Sequence, residues 1–257
     1  MCRNKSYTPE KQEHDARWQL DKESGNYYKA EYMQPAATSG LPIIMKDTVT
    51  QQNVSMNAHW GLVPWFSKTP EEGLKNSFKY VNARAETVHD SKLYAPLLKQ
   101  KKRCLIPCTL YFEHHHFNGG ATKVPFAVKT DKEHIFSIPG LYTVLWKDKN
   151  REEGLISYTM FTIVANELLA AIHNGGENSH RMPLVITRDM EADWLNPDTP
   201  DKVIDEILNY QIGSNALDAW AVAPLTGKKA KQGEEIIEQA DWGIYNKEIA
   251  DILKLAA

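Results

Sequence analysis

Between Val124 and Val164 the chain passes through four short apolar runs, Val124–Thr130, Ile135–Ile138, Leu141–Trp146 and Tyr158–Val164. Loops such as Asp131-Lys132 and Lys147–Gly154 separate them. Short runs rich in β-branched and aromatic residues between polar breaks read as strands. Nothing else in the sequence constrains the fold as strongly, because strands so close together need a common sheet, and a sheet needs a second layer over its apolar face. Upstream, Leu41–Met45 after Gly40 reads as another strand, with Pro42 placing it at a sheet edge or at the strand's start. His59–Phe66 reads as a strand leading into a loop at Gly61 and Pro64. Tyr80–Thr87 alternates small apolar with polar residues, so as a strand it puts Asn82, Arg84 and Glu86 on one face. Cys104–Glu113 is strand-like, with Tyr111 and Glu113 pointing one way and Leu110 and Phe112 the other. Leu184–Thr187 and Trp220–Pro224 complete the strand candidates.

Helices are expected over Ser91–Arg103, with Pro96 in the first turn and a basic end that suits the helix dipole, and over Glu167–His173 behind the N-cap Asn166. Further helices are expected at 189–195, 201–210 and 242–255. Residues 5–30 read as a helix or a loosely packed arm anchored by Trp18, Leu20, Tyr27 and Tyr28, and 67–79 as a surface loop. With no repeat, low-complexity tract or linker, the expectation is one α+β domain over 1–257, with many short strands and helices outside.

Composition matters mainly for what it excludes. No apolar run approaches the roughly 20 residues of a membrane span, and the N-terminal stretch lacks the apolar core of a secretory signal. Three cysteines do not make a disulfide framework, which favours a reducing cytoplasm. Cys104 and Cys108 on one strand would stand about 13 Å apart, too far to bridge. A formal net charge of −3 argues against a generally basic surface, but phosphate binding depends on local clusters. Lys99, Lys101, Lys102 and Arg103 form one such cluster, which reads equally well as a solvated helix end.

The chemistry-bearing feature is Met1-Cys2. If Met1 is removed, Cys2 presents an α-amine and a thiol on adjacent carbons, with ordinary pKa values of about 8 and about 8.5. Such an amine condenses with an aldehyde to a Schiff base, and the thiol can close it to a five-membered thiazolidine. Proton handlers are then needed, and Glu113 and His180, each beside a strand end, are the candidates. His114, His115 and His116 follow Glu113, but consecutive strand residues alternate faces, so a converging metal set is not expected. There is no dinucleotide-binding glycine motif, phosphate-binding loop, nucleophile elbow or zinc-deaminase pattern.

These pieces occur in a recognisable order. Cys2, Trp60-Gly-Leu-Val-Pro64, Asn82-Ala-Arg84-Ala-Glu86-Thr87, Arg103-Cys-Leu-Ile-Pro107 with Tyr111-Phe-Glu113, and Ile172-His173 followed by His180-Arg181-Met182-Pro183 resemble the SRAP family. Its members are the abasic-site processing proteins, also named SOS response-associated peptidases. The resemblance runs from Cys2 to about Thr187, and residues 189–257 are expected to pack on that part. It implies a curved, mostly antiparallel, open-barrel-like sheet with peripheral helices. It also implies a covalent thiazolidine crosslink between mature Cys2 and an abasic site in single-stranded DNA, in a DNA damage response. By the same resemblance Asn82 positions Cys2, Glu113 is the acid/base, His180 is a second proton-transfer group, and Arg84 and Trp60 border the DNA. No cofactor or metal is implied, and the expectation is a bacterial, cytoplasmic, DNA-associated monomer. The family usually begins Met-Cys-Gly-Arg, so Arg3 is the candidate to replace the missing arginine. It often has Trp after the catalytic Glu, so His114 is the candidate stacking platform. The loop Asn174–Ser179 is enlarged. Two rival readings are a cysteine peptidase with an N-terminal nucleophile, as the family's peptidase name suggests, and a non-covalent single-strand-binding module.

Overall fold

A computed structural model of the protein describes residues 2–20, 30–145 and 154–256. Twelve strands are described: β1 Asn4–Tyr7, β2 Glu31–Pro35, β3 Leu41–Lys46, β4 Asn53–Trp60, β5 Asn82–Arg84, β6 Arg103–Cys108, β7 Leu110–Phe117, β8 Thr122–Thr130, β9 Phe136–Leu145, β10 Leu155–Val164, β11 Arg181–Pro183 and β12 Leu217–Ala221. The α-helices described are α1 Lys11–Trp18, α2 Pro70–Ser77, α3 Ala95–Lys99, α4 Glu167–Ile172, α5 Arg188–Leu195, α6 Asp201–Leu208 and α7 Asn246–Leu253. The α+β class expected from the sequence is what the structure has. Tyr27, Tyr28, Trp146 and most of the 147–154 loop lie outside the described residues.

The strands form a five-stranded sheet in the order β12-β8-β7-β1-β2 and a seven-stranded one in the order β11-β10-β4-β3-β6-β9, with β5 paired to β10. An additional β9–β10 pairing closes β10, β4, β3, β6 and β9 into a ring. All pairings are antiparallel except those of β10 with β4 and with β5. Closure needs close backbone approach, and Gly140 supplies it. Paired with Met160 on β10 and Cys104 on β6, Gly140 has no room for a Cβ, which would overlap the Thr159 carbonyl and the Ile106 side chain. Pro139-Gly140 therefore does not break the chain between two strands as expected; both runs belong to β9.

Other boundaries also move. The 104–113 run divides at Thr109, whose N–H leaves β6 to donate to the Ser6 carbonyl, so β6 lies in the ring and β7 in the other sheet. The residue facing is as expected, with Tyr111 in the main core and Leu110 and Phe112 in a second apolar cluster with Val222 and Ile236. Residues 67–79 are not a loop. Thr69 accepts the Glu72 N–H and Pro70 follows as the first residue of α2, a capping signature present in Thr69-Pro-Glu-Glu72. The expected 91–103 helix shrinks to α3, ended by Lys101 at φ 58°. Arg103 is pulled inward, donating to the Trp194 and Asn196 carbonyls at 2.7 Å each. It therefore does not belong to an exposed basic cluster.

The arm is β1 followed by α1, with Trp18 and His14 buried. Pro42 stands near the start of β3, but that strand is interior, between β4 and β6. The strand expected at Leu184–Thr187 is β11, Arg181–Pro183, and the one expected at Trp220–Pro224 is Leu217–Ala221. The closing helix is preceded by a 3₁₀ turn at Gly243–Tyr245.

Candidate functional site

The site forms where β1, β5, β7 and the end of α4 meet. β1 runs antiparallel to β7, with Asn4 opposite Phe112 and Lys5 opposite Tyr111, which carries Cys2 to the neighbourhood of Glu113. Cys2 is fully buried, and its thiol donates to the Asn4 carbonyl at 3.4 Å. Burial, then the charges of Glu113 and Cys108, push that thiol well above its ordinary range, so it is a neutral S–H at pH 7. Asn82 reaches in from β5, its Nδ2 donating to the Cys2 carbonyl at 2.9 Å. Asn82 itself is fixed because β5 lies in register beside β10, opposite Met160.

Glu113 is 3% exposed on β7. Loss of solvation lifts its carboxyl to about 7. Its neighbour is His173, the residue that ends α4, whose Nε2 lies 3.9 Å from Glu113 Oε2. His173 Nδ1 stands 2.9 Å from the Arg181 carbonyl, an acceptor, so Nδ1 carries the proton and Nε2 presents its lone pair toward Glu113. Burial holds the His173 imidazole down to about 4, so it is neutral at physiological pH. A carboxyl near neutrality facing a neutral imidazole is an acid/base arrangement.

His180 is not part of that arrangement. It is exposed, adopts φ 57°, and its N–H closes the loop base by donating to the His173 carbonyl at 2.8 Å. The enlarged loop separates the two histidines, and α4 delivers the earlier one to Glu113. The signal was present in the sequence, because Asn166 as N-cap fixes the phase of α4 and puts His173 at its end.

A cavity of about 520 Å³ opens beside Glu113 and His173, lined also by Arg3, His114, His116, Lys123 and the 175–178 segment. Arg3 is exposed, with its guanidinium 5.2 Å over the half-exposed Phe78 ring. Burial, then the positive neighbours His116 and Lys123, push the His114 imidazole down to about 4. His115 points elsewhere, with Nδ1 on the Ala171 carbonyl at 2.7 Å and its ring 4.3 Å from that of Phe117. Among the described residues no three His, Cys, Asp or Glu side chains are grouped to hold a metal ion.

Arg84 is exposed on β5 and donates to Asn178 at 2.9 Å. Glu86 leaves the strand for a 3₁₀ turn and pairs with Arg181 through bonds of 2.7 and 2.9 Å, so it does not share a strand face with Asn82 and Arg84. Trp60 does not border the groove. It has no exposed surface, stacks at 6.4 Å on Tyr158, and donates to the Val81 carbonyl, bracing the residue before β5. Exposed rings are instead offered by Trp65 and Phe66, which meet edge to face at 5.5 Å.

Comparison with known proteins follows the same outline. The family model described as SOS response associated peptidase (SRAP) matches residues 1–229. The abasic site processing protein YoqW of Bacillus subtilis is 32% identical over 182 residues, covering 70% of this chain and 74% of its own. HMCES of Gallus gallus, also named an abasic site processing protein, is 26% identical over 66% of this chain and 54% of its own. Among solved structures, a protein from Bacteroides thetaiotaomicron superposes with a TM-score of 0.78 at 27% identity, covering 93% of this chain and 100% of that one. No described helix is long and apolar enough to cross a membrane. A family model that matches residues 1–229, supported by a relative at 32% identity over 70% of this chain and 74% of its own, means that this chain belongs to the SRAP family.

Proposed function

We propose that this protein processes abasic sites in single-stranded DNA by forming a covalent thiazolidine through Cys2 after removal of Met1. The observation that carries the reading is the clasp on Cys2: its carbonyl is held by Asn82, and its side chain is buried beside a carboxyl poised near neutrality. The names of the similar proteins point the same way. In the sequence of steps, the α-amine of mature Cys2 adds to the aldehyde carbon of the ring-opened sugar. The carbinolamine accepts a proton, loses water and becomes an iminium. The neutral thiol then adds to that carbon, its sulfur forming the new C–S bond and its proton passing to a base.

Glu113 suits both proton roles, donating in its acid form and accepting in its carboxylate form. His173 Nε2, which faces it, takes the second role that the sequence resemblance assigns to His180. Arg84 and Arg3 are the phosphate-facing cations, and His114 is a ring beside the cavity. Single strands are preferred, because the bases must splay out to bring a sugar to so recessed a cysteine.

The test is incubation of intact-mass-verified protein with a single strand carrying one abasic site. Wild type is expected to give a heat-stable, denaturant-resistant adduct and Cys2→Ala none. An adduct that survives Cys2→Ala sinks the mechanism, and equal crosslinking of a fully paired duplex refutes the preference for single strands. Binding without an adduct favours a non-covalent module, whereas cleavage of a peptide by protein unable to crosslink favours a peptidase.

A further inference from the structure

The enlarged loop between His173 and Arg181 has a fixed heel and a lightly held toe. At the heel, the Asn174 amide imitates a neighbouring strand. Its Oδ1 accepts the His116 N–H at 2.8 Å, and its Nδ2 donates to the His116 carbonyl at 3.1 Å and stands 3.2 Å from His115 Nε2. Gly175 then lies so close to the His116 ring that a Cβ there would overlap it, which locks the heel onto β7. Gly176 follows at φ 93°, a conformation that glycine adopts without strain. The toe, Glu177 and Asn178, extends from this glycine pair. Among the described residues its side-chain tie is the exposed hydrogen bond from Arg84 to Asn178, which reaches from β5 to a loop rooted on β7. The segment 175–178 thus lines the same cavity as Glu113 and His173.

We propose that this segment is an entry strap, in which Asn178 competes with the phosphate of an incoming strand for the Arg84 guanidinium. The inference rests on the single-strand reading above and adds a regulatory step to it. Charge-assisted pairing of a guanidinium with phosphate is stronger than its hydrogen bond to a neutral amide, so a strand displaces Asn178, but only by giving up that bond. Displacement also carries Glu177, a carboxylate lining the same cavity as Arg3 and Lys123, out of the path of the phosphates. The heel stays in place, so the His173–Glu113 geometry does not depend on the strap's position.

The experiment measures strand binding by fluorescence anisotropy with an undamaged single strand, and crosslinking against concentration with an abasic one. Asn178→Ala is expected to lower the half-saturating concentration about threefold, the worth of one solvent-exposed hydrogen bond. The same substitution made in Arg84→Ala protein is expected to give no shift, because the contested group is gone. An unchanged half-saturation in Asn178→Ala overturns the proposal. So does an equal shift on both backgrounds, which would mean that the loop acts by shape or charge alone. The two readings fail separately: absence of any wild-type adduct removes the crosslinking chemistry, while anisotropy with the undamaged strand still decides the strap.

Discussion

Glu113→Gln separates what this carboxyl does for chemistry from what it costs the fold. In the native protein burial raises the group from an ordinary 4.5 to about 7. One pKa unit corresponds to about 1.4 kcal/mol, so the rise represents on the order of 3 kcal/mol. The sign follows from proton counting. Between pH 4.5 and 7 the unfolded chain has released the proton and the native one still holds it, so stability falls as pH rises through that window. Below 4.5 both states are protonated and the loss is absent; above 7 both are ionised and the loss is complete. Glutamine keeps the shape and does not titrate. Urea unfolding of both proteins from pH 4 to pH 8 is the assay. Relative to Glu113→Gln, wild type is expected to lose up to about 3 kcal/mol across the window, the histidines cancelling in the difference. A difference that stays flat with pH would refute the raised carboxyl. The same variant is expected to slow crosslinking about a hundredfold or more, the usual scale of a general acid–base group. The limb of the rate profile near pH 7 should vanish with it.

Other substitutions test the placement of individual side chains. His173→Ala is expected to slow crosslinking at least about tenfold and His180→Ala less than about twofold, the ordering that proximity to Glu113 requires; single-turnover kinetics on an abasic strand decide it, and the reverse order would return the role to His180. Because burial holds His173 near 4, native stability should also weaken as pH falls from about 6.5 toward 4, where the unfolded chain takes up that proton first. Trp60→Ala should destabilise by about 3–5 kcal/mol as a buried tryptophan does, whereas Trp65→Ala should leave the melting temperature nearly unchanged and weaken single-strand binding by about 1–3 kcal/mol. Denaturation paired with anisotropy separates the two, and a neutral Trp60→Ala would contradict its bracing of Val81. Arg84→Ala should weaken binding of undamaged strands and lower the salt slope by roughly one phosphate contact, read from anisotropy across a salt series.

How much of this was legible depends on whether a residue's role is local. The Asn166 cap and the facing of Tyr111 are local, and period and side-chain chemistry suffice to read them, whereas several strand bounds depend on distant partners. The merger of two runs into β9 was not legible, because Pro139-Gly140 looks like a break until the ring brings Thr159 against Gly140. Arg103 read as the end of a basic helix because its acceptors, the carbonyls of Trp194 and Asn196, come from nine tens of residues farther along the chain. Trp60 read as a groove residue because the motif marks its importance without saying whether the ring is exposed, and only the parallel seating of β4 and β5 beside β10 shows that it is buried. The choice of histidine turns on a related point. The 174–179 loop between Ile172-His173 and Arg181-Met-Pro183 leaves two histidines that fit the motif, one tied to α4 and one to Arg181. The helix breaks the tie: its rigid phase carries His173 to Glu113, while a left-handed backbone turns His180 away. Motif spacing therefore points to the family, and the rigid element beside the 174–179 loop shows which of the two histidines stands against Glu113.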